Sequence, residues 1–173
     1  DLYSTVVAGI AARIAPTDFG GMQLVHRQDY EVQCNWKVYV DNYVEGYLLP
    51  CVHRALTQAL NYRDYNVEVA DWYSLQHSPV ADDATAYGAG QARYYFIFPS
   101  TMLNIMPGRL QANRVLPLAP DRCRVEFHYY YLPDPGVRAR MAADLQFTHQ
   151  VQLEDGAICE SVQRGLASRA YRA

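Results

Sequence analysis

From Tyr65 to Leu132 the chain sets short runs of β-branched and aromatic residues between prolines and glycines, and from Val137 to Ser168 it then runs without a single proline. Few folds accommodate both halves. The runs Tyr65–Ser78, Ala92–Phe98, Thr101–Met106, Arg109–Leu116 and Arg122–Leu132 read as strands, because branched and aromatic side chains fill a pleated, half-buried surface. Pro99, Pro107-Gly108 and Pro117–Pro120 punctuate them. Val125, Phe127, Tyr129 and Tyr131 alternate with Arg124, Glu126, His128 and Tyr130, so this strand has two unlike faces. Asp134-Pro135-Gly136 reads as the start of one long helix, whose apolar stripe runs Met141, Leu145, Thr148, Val151, Ile158, Cys159, Val162 and Leu166. The expected class is α+β: antiparallel strands forming a curved sheet wrapped on a long C-terminal helix.

The first third is read in the same way. Leu2–Ala15 has helical spacing (Leu2, Val6, Ile10, Ile14), Met22–Gln33 reads as one or two strands, and Trp36–Tyr47 as a helix. Pro50–Leu60 is expected to be a short helical piece carrying His53, and Ala81–Gly90 a mobile loop. No repeat or linker divides residues 1–173, so one domain is expected. Hydrophobic residues at 50% and charged residues at 19% suit an ordinary globular protein. A net charge of −3 gives no reason to expect nucleic acid or an anionic membrane as partner. No apolar run approaches the roughly 18–20 residues of a membrane helix. Cys34, Cys51, Cys123 and Cys159 lack close paired spacing, which speaks for reduced thiols and a cytoplasmic location and against cysteine-only zinc or iron–sulfur sites. The fifteen tyrosines suit either a sheet core or the walls of an aromatic cavity.

Two places carry candidate chemistry. Asp155 falls in the apolar stripe, four residues after Val151 and three before Ile158. A carboxylate there needs an ion pair, a hydrogen bond or a metal; a structural ion pair and a metal or catalytic role both remain open. Its neighbour Glu154 points elsewhere. Asp41, Asn42, Glu45 and His53 form the second group. Asp41, Glu45 and Leu48 are spaced to share one helical face, which could equally be a solvated edge.

The string Asn35-Trp36-Lys37-Val38-Tyr39-Val40-Asp41-Asn42-Tyr43-Val44-Glu45-Gly46-Tyr47 resembles the opening of the iron-binding segment of Rieske-type non-haem iron oxygenase alpha subunits. In that pattern an Asn and an acidic residue precede Tyr-His and, after four intervening residues, a second His. Glu45 falls on the acidic residue and His53 on the second His. Gln152-Leu153-Glu154-Asp155-Gly156-Ala157-Ile158-Cys159-Glu160 resembles the segment carrying the family's carboxylate ligand, with Asp155 on that ligand. Phe98-Pro99-Ser100-Thr101-Met102-Leu103-Asn104 and Arg114-Val115-Leu116-Pro117-Leu118 extend the likeness, which covers the chain from about Asp18 onward. Glu at position 45 is similar to the choline and carnitine branch.

The resemblance implies a helix-grip (START-like) fold and one Fe(II) held by two histidines and one carboxylate, its open face serving O₂ and a small aromatic or quaternary ammonium substrate. It implies hydroxylation or demethylation, with electrons from a [2Fe–2S] cluster on a Rieske domain of a neighbouring subunit in a homotrimer, fed by a reductase. Glu45 would bridge the two metal centres, with Asp41 and Asn42 beside it. The sequence departs from the pattern at Leu48, where the first ligand His is expected. His53 and Asp155 remain; Cys51, His26, His77, His128 and His149 are the other donors, and His128 is the one that could face the cavity. The one Cys-x-His, Cys51-Val52-His53, falls in the iron-binding segment and no Cys-x-x-His accompanies it, and the chain opens on Asp1, so a fragment without its Rieske domain is expected. The alternative is an iron-deficient pseudoenzyme or small-molecule-binding helix-grip module.

Overall fold

The computed structural model describes residues 2–15, 17–45, 64–80, 90–169 and 171. Its elements are α1 (Leu2–Ile14), β1 (Gln23–Val32), α2 (Trp36–Val44), β2 (Asn66–Val69), β3 (Tyr73–Pro79), β4 (Gln91–Ile97), β5 (Thr101–Met106), β6 (Arg109–Ala119), β7 (Arg122–Tyr131) and α3 (Pro135–Leu166). All strands among the described residues join one antiparallel sheet in the order β1-β7-β6-β5-β4-β3-β2. β2 to β7 form a meander, and β1 adds to the far edge beside β7. The α+β plan read from the periodicity stands.

The expected strand Tyr65–Ser78 is two strands. Ala70-Asp71-Trp72 turns the chain, and Ala70 N donates to Tyr73 O at 2.8 Å. Small and acidic turn residues outweigh the flanking valines there. The helix expected over Trp36–Tyr47 ends at Val44, and Glu45 is extended at φ −90°, ψ 92°. Gly46 follows, and glycine is a poor residue for a further turn. Asp41 and Glu45 therefore do not share a helical face. Leu48 and His53, with the helical piece expected to carry them, lie outside the described residues, as does most of the expected loop Ala81–Gly90.

Local chemistry sets the helix starts. Asn35 caps α2 by accepting from Lys37 N at 3.0 Å, while its own backbone N–H donates to Gln163 Oε1 at 2.7 Å and its Nδ2 to Pro120 O at 2.6 Å. The start of α2 is thus tied to α3 and to the β6–β7 turn. Asp134 caps α3 by accepting from Val137 N at 3.0 Å, ahead of Pro135.

The sheet has two different faces. Leu75, Tyr95 and Ile105 point to the face covered by Ile10 and Ile14 of α1. Val125, Phe127 and Tyr129 point to the other face, where Val38, Tyr39 and Cys159 of α2 and α3 close the core. Each such side chain contributes about 1.5–3 kcal/mol on burial. No helix among the described residues is long and apolar enough to cross a membrane.

Gly108 turns β5 into β6 at φ +74°, and an added Cβ would stand 2.5 Å from Val137 Cγ2. Left-handed backbone alone costs an L-residue roughly 1–2 kcal/mol. Gly108→Ala is expected to lower unfolding free energy by about 1–3 kcal/mol, read as a reduced midpoint in denaturant; an unchanged midpoint would show that the turn and Val137 relax freely.

Candidate functional site

Two segments remote in sequence meet between α2 and α3. Asn42, half-buried on the last turn of α2, donates through Nδ2 to Asp155 Oδ1 at 2.7 Å. An ionised carboxylate only accepts, so this bond fixes the amide: nitrogen toward Asp155, oxygen away. Asn42 Oδ1 is buried with no hydrogen-bond partner among the described residues. An unmatched buried acceptor costs about 1–3 kcal/mol, so its position beside the carboxylate calls for an incoming donor.

Two phenols flank the pair. Tyr39 donates to Gln152 Oε1 at 2.5 Å, and Tyr43 donates to Asn104 Oδ1 at 2.6 Å. Gln76 Nε2 donates to the backbone oxygen of Tyr43 at 2.9 Å, tying the end of α2 to β3. Burial pushes both hydroxyls well above the ordinary tyrosine range, and for Tyr39 the charge of Asp155 adds to it. Both stay protonated and act as donors.

Asp41 and Asn42 diverge. Asp41 is exposed and lines a cleft of about 570 Å³ between α2 and the β2–β4 region, with Val44, Trp72, Phe96 and Phe98. Partial burial, then the charge of Glu45, hold its carboxyl above the usual range, with Lys37 opposing. Glu45 follows the helix end directly, where the chain enters residues 46–63.

The deepest line on α3 is polar. Asp144, Thr148 and Gln152 are buried together with Cys159, whereas Val162 and Leu166 are exposed, so the expected apolar stripe is corrected. The cause lies across the interior, where β6 turns Arg109, Gln111 and Asn113 inward, all at most 3% exposed. Arg109 Nε stands 2.7 Å from Asp144 Oδ2, and Tyr131 donates to the same oxygen. Arg109 also donates to Thr148 Oγ1 at 3.1 Å and to Gln111 Oε1; Gln111 Nε2 donates to Asn113 Oδ1 at 3.0 Å. Polar strand residues need polar helix partners when both are buried. The spacing Asp144, Thr148, Gln152, Asp155, Cys159 was the sequence signal for this line.

The other histidines are placed elsewhere. His128 shares the face of Arg27, Asp29 and Glu126, opposite the core face of Val125 and Phe127, so it does not face the interior. His149 bonds Tyr30 Oη at 2.8 Å, His77 pairs with Glu68 at 3.1 Å, and His26 packs on Tyr129. Cys34, Cys123 and Cys159, separate in sequence, are free and buried together, with Cys34 Sγ 3.9 Å from Cys123 Sγ. Among the described residues no three histidine, cysteine or acidic side chains are placed to hold a metal ion. Of the two expected ligands, Asp155 is described, while His53 lies in residues 46–63, outside the described residues.

Residues 19–173 match the ring hydroxylating alpha subunit (catalytic domain) family. Choline monooxygenase, chloroplastic, from Arabidopsis thaliana is 36% identical over 158 residues, spanning 87% of this chain and 37% of that protein. Putrescine 2-hydroxylase from Ralstonia nicotianae is 26% identical over 174 residues, spanning 86% of this chain and 47% of that protein. In fold, the chain matches a quaternary ammonium Rieske monooxygenase in complex with L-carnitine at a TM-score of 0.80, with 23% identity, over 98% of this chain and 47% of the other. Dicamba monooxygenase bound to dicamba matches at 0.63, with 18% identity, over 90% and 55%. The chain thus spans less than half the length of these curated relatives. These relatives are named as enzymes, which lends no support to a pseudoenzyme. The match over nearly all its residues, on a helix-grip scaffold of sheet and C-terminal helix, makes this chain a member of the Rieske-type ring hydroxylating alpha subunit family, in its catalytic domain.

Proposed function

We propose that this chain is the catalytic domain of an O₂-dependent hydroxylase or demethylase acting on a small quaternary ammonium compound or amine. The observation that carries this reading is the 2.7 Å bond between Asn42 and Asp155, which joins the two family segments inside the fold. In this reading Asp155 and His53 hold Fe(II), with Leu48 at the third protein position. The buried, unmatched Asn42 Oδ1 beside a fixed carboxylate fits a site that takes a further group. Bound Fe(II) would supply O₂ activation.

The chain's own residues supply orientation and exclusion of water. Asn42 holds one carboxylate oxygen of Asp155 and so sets the direction of its lone pairs. Tyr39 and Tyr43, bonded on both sides of that pair, close α2 against α3 and the sheet. Glu45 stands at the exit of α2, where it would bridge toward a [2Fe–2S] cluster on the Rieske domain of a neighbouring subunit, within a homotrimer served by a reductase. Asp41 lines the adjoining aromatic cleft. Cation–π attraction suits aromatic walls to a quaternary ammonium group.

The test is single turnover of the full-length, iron-loaded protein with a chemical reductant and O₂, offering choline, carnitine and putrescine and following product by mass spectrometry. At least one is expected to give a hydroxylated or demethylated product. No product from any, with iron bound, would overturn the reading.

A further inference from the structure

Cys34 lies between β1 and α2, Cys123 near the start of β7 and Cys159 on α3, and all three are 0% exposed. Cys34 Sγ stands 3.9 Å from Cys123 Sγ, across 89 positions of sequence. It is also within hydrogen-bonding reach of the Cys159 thiol and of the backbone N–H of Tyr39. Packing alone asks for no such convergence, since a buried cysteine serves as a small hydrophobe wherever it stands. Here one sulfur has two thiols and a backbone donor turned toward it. Those bonds, from Cys123 first and Cys159 next, pull the Cys34 thiol below the ordinary cysteine range against its burial, and they push both donors up. The nucleophilic form of a cysteine is the thiolate. Cys34 is also one residue from solvent along the chain: Gln33 is exposed and Asn35 half-buried. Local opening of this strand-to-helix junction admits a small oxidant without unfolding the sheet.

We propose that Cys34 and Cys123 are a redox modification site, which hydrogen peroxide converts reversibly to an intramolecular disulfide joining the start of α2 to β7. The Cys34 thiolate attacks one oxygen of the peroxide; the S–O bond forms, the O–O bond breaks, and the departing hydroxide takes up the thiol's proton and leaves as water. The resulting sulfenic acid lies against a second thiol, with which such acids condense. The Cys123 sulfur attacks it; the S–S bond forms, the S–O bond breaks, and the hydroxyl leaves with the Cys123 proton as a second water. The two thiols supply two electrons and two protons, and the peroxide is reduced to two waters. Cys123 resolves the sulfenic acid ahead of Cys159 because it makes the stronger of the two bonds to Cys34. Its strand is also held in register beside the approach to Cys34, through the ladder pair Val32 and Cys123.

The full-length protein is treated with hydrogen peroxide, unfolded in N-ethylmaleimide, digested and mapped by mass spectrometry. Cys34 and Cys123 are expected to lose alkylation together and to appear in one cross-linked peptide pair, lighter by two hydrogens, while Cys159 stays alkylated. Dithiothreitol should restore both thiols. Cys159→Ser should keep the cross-link, and Cys34→Ser should leave Cys123 as a free thiol. Chains unfolded in urea before the peroxide should lose the preference for this pairing. The parent protein carries the test by itself, so it stands where a variant does not fold. Full alkylation of Cys34 and Cys123 after peroxide, sulfinic or sulfonic acid at Cys34 without a cross-link, or pairing of Cys34 with Cys159 or Cys51 instead, each overturns the assignment. The measurement reads neither iron nor turnover, so its failure leaves the oxygenase reading where it stood.

Discussion

Asp144→Ala is expected to lower the unfolding free energy by about 3–5 kcal/mol, because it leaves the Arg109 guanidinium buried without a counter-charge. The two side chains are 4% and 2% exposed and stand 2.7 Å apart. Removing the carboxylate also strips Tyr131 of its acceptor and Thr148 of its partner one turn on. The tyrosine ring of Tyr129, 5.9 Å from the guanidinium carbon, compensates only in part. Equilibrium unfolding in denaturant, followed by circular dichroism, measures the loss. Replacing both partners together, Arg109→Met with Asp144→Leu, should recover most of it, since apolar residues of similar volume often match a buried pair. A single substitution costing under about 1 kcal/mol would mean that water reaches Arg109 and that the pair is not sealed.

That network marks where the sequence stops being legible. Strands were readable because Val125, Phe127, Tyr129 and Tyr131 alternate with polar residues, and the start of α3 because Asp134-Pro135 is a cap followed by a proline at the first helical position. Hydrophobic periodicity fails where the buried face is itself polar. On α3 it favoured Val162 and Leu166, which are exposed, over Asp144 and Gln152, which are buried. It could not know that β6 presents Arg109, Gln111 and Asn113 to the same interior, because that match is made across some distance in sequence and only tertiary contact reveals it. Asp155 was visible as a carboxylate in a helical stripe and Asn42 as a member of the second group, but the bond that joins them was not. The end of α2 at Val44, which separates Asp41 from Glu45, turned on one backbone angle beside a glycine.

Leu48→His is expected to raise Fe(II) affinity by a factor on the order of a hundred or more, since removal of even an outer-shell partner of a metal ligand costs about 10–100-fold. Leucine has no lone pair to offer. On the proposed reading, His53 and Asp155 would be two of the three protein donors that the family's arrangement uses. Anaerobic Fe(II) titration of the full-length protein beside its Leu48→His variant measures the difference. Equal affinities would mean that another group, Cys51 by its position in sequence, already completes the set. Asp155→Ala is expected to abolish binding in both backgrounds, because it removes the donor that Asn42 orients. Iron binding that survives Asp155→Ala would reduce that carboxylate to a structural partner of Asn42, and the metal would then have to sit elsewhere in the chain.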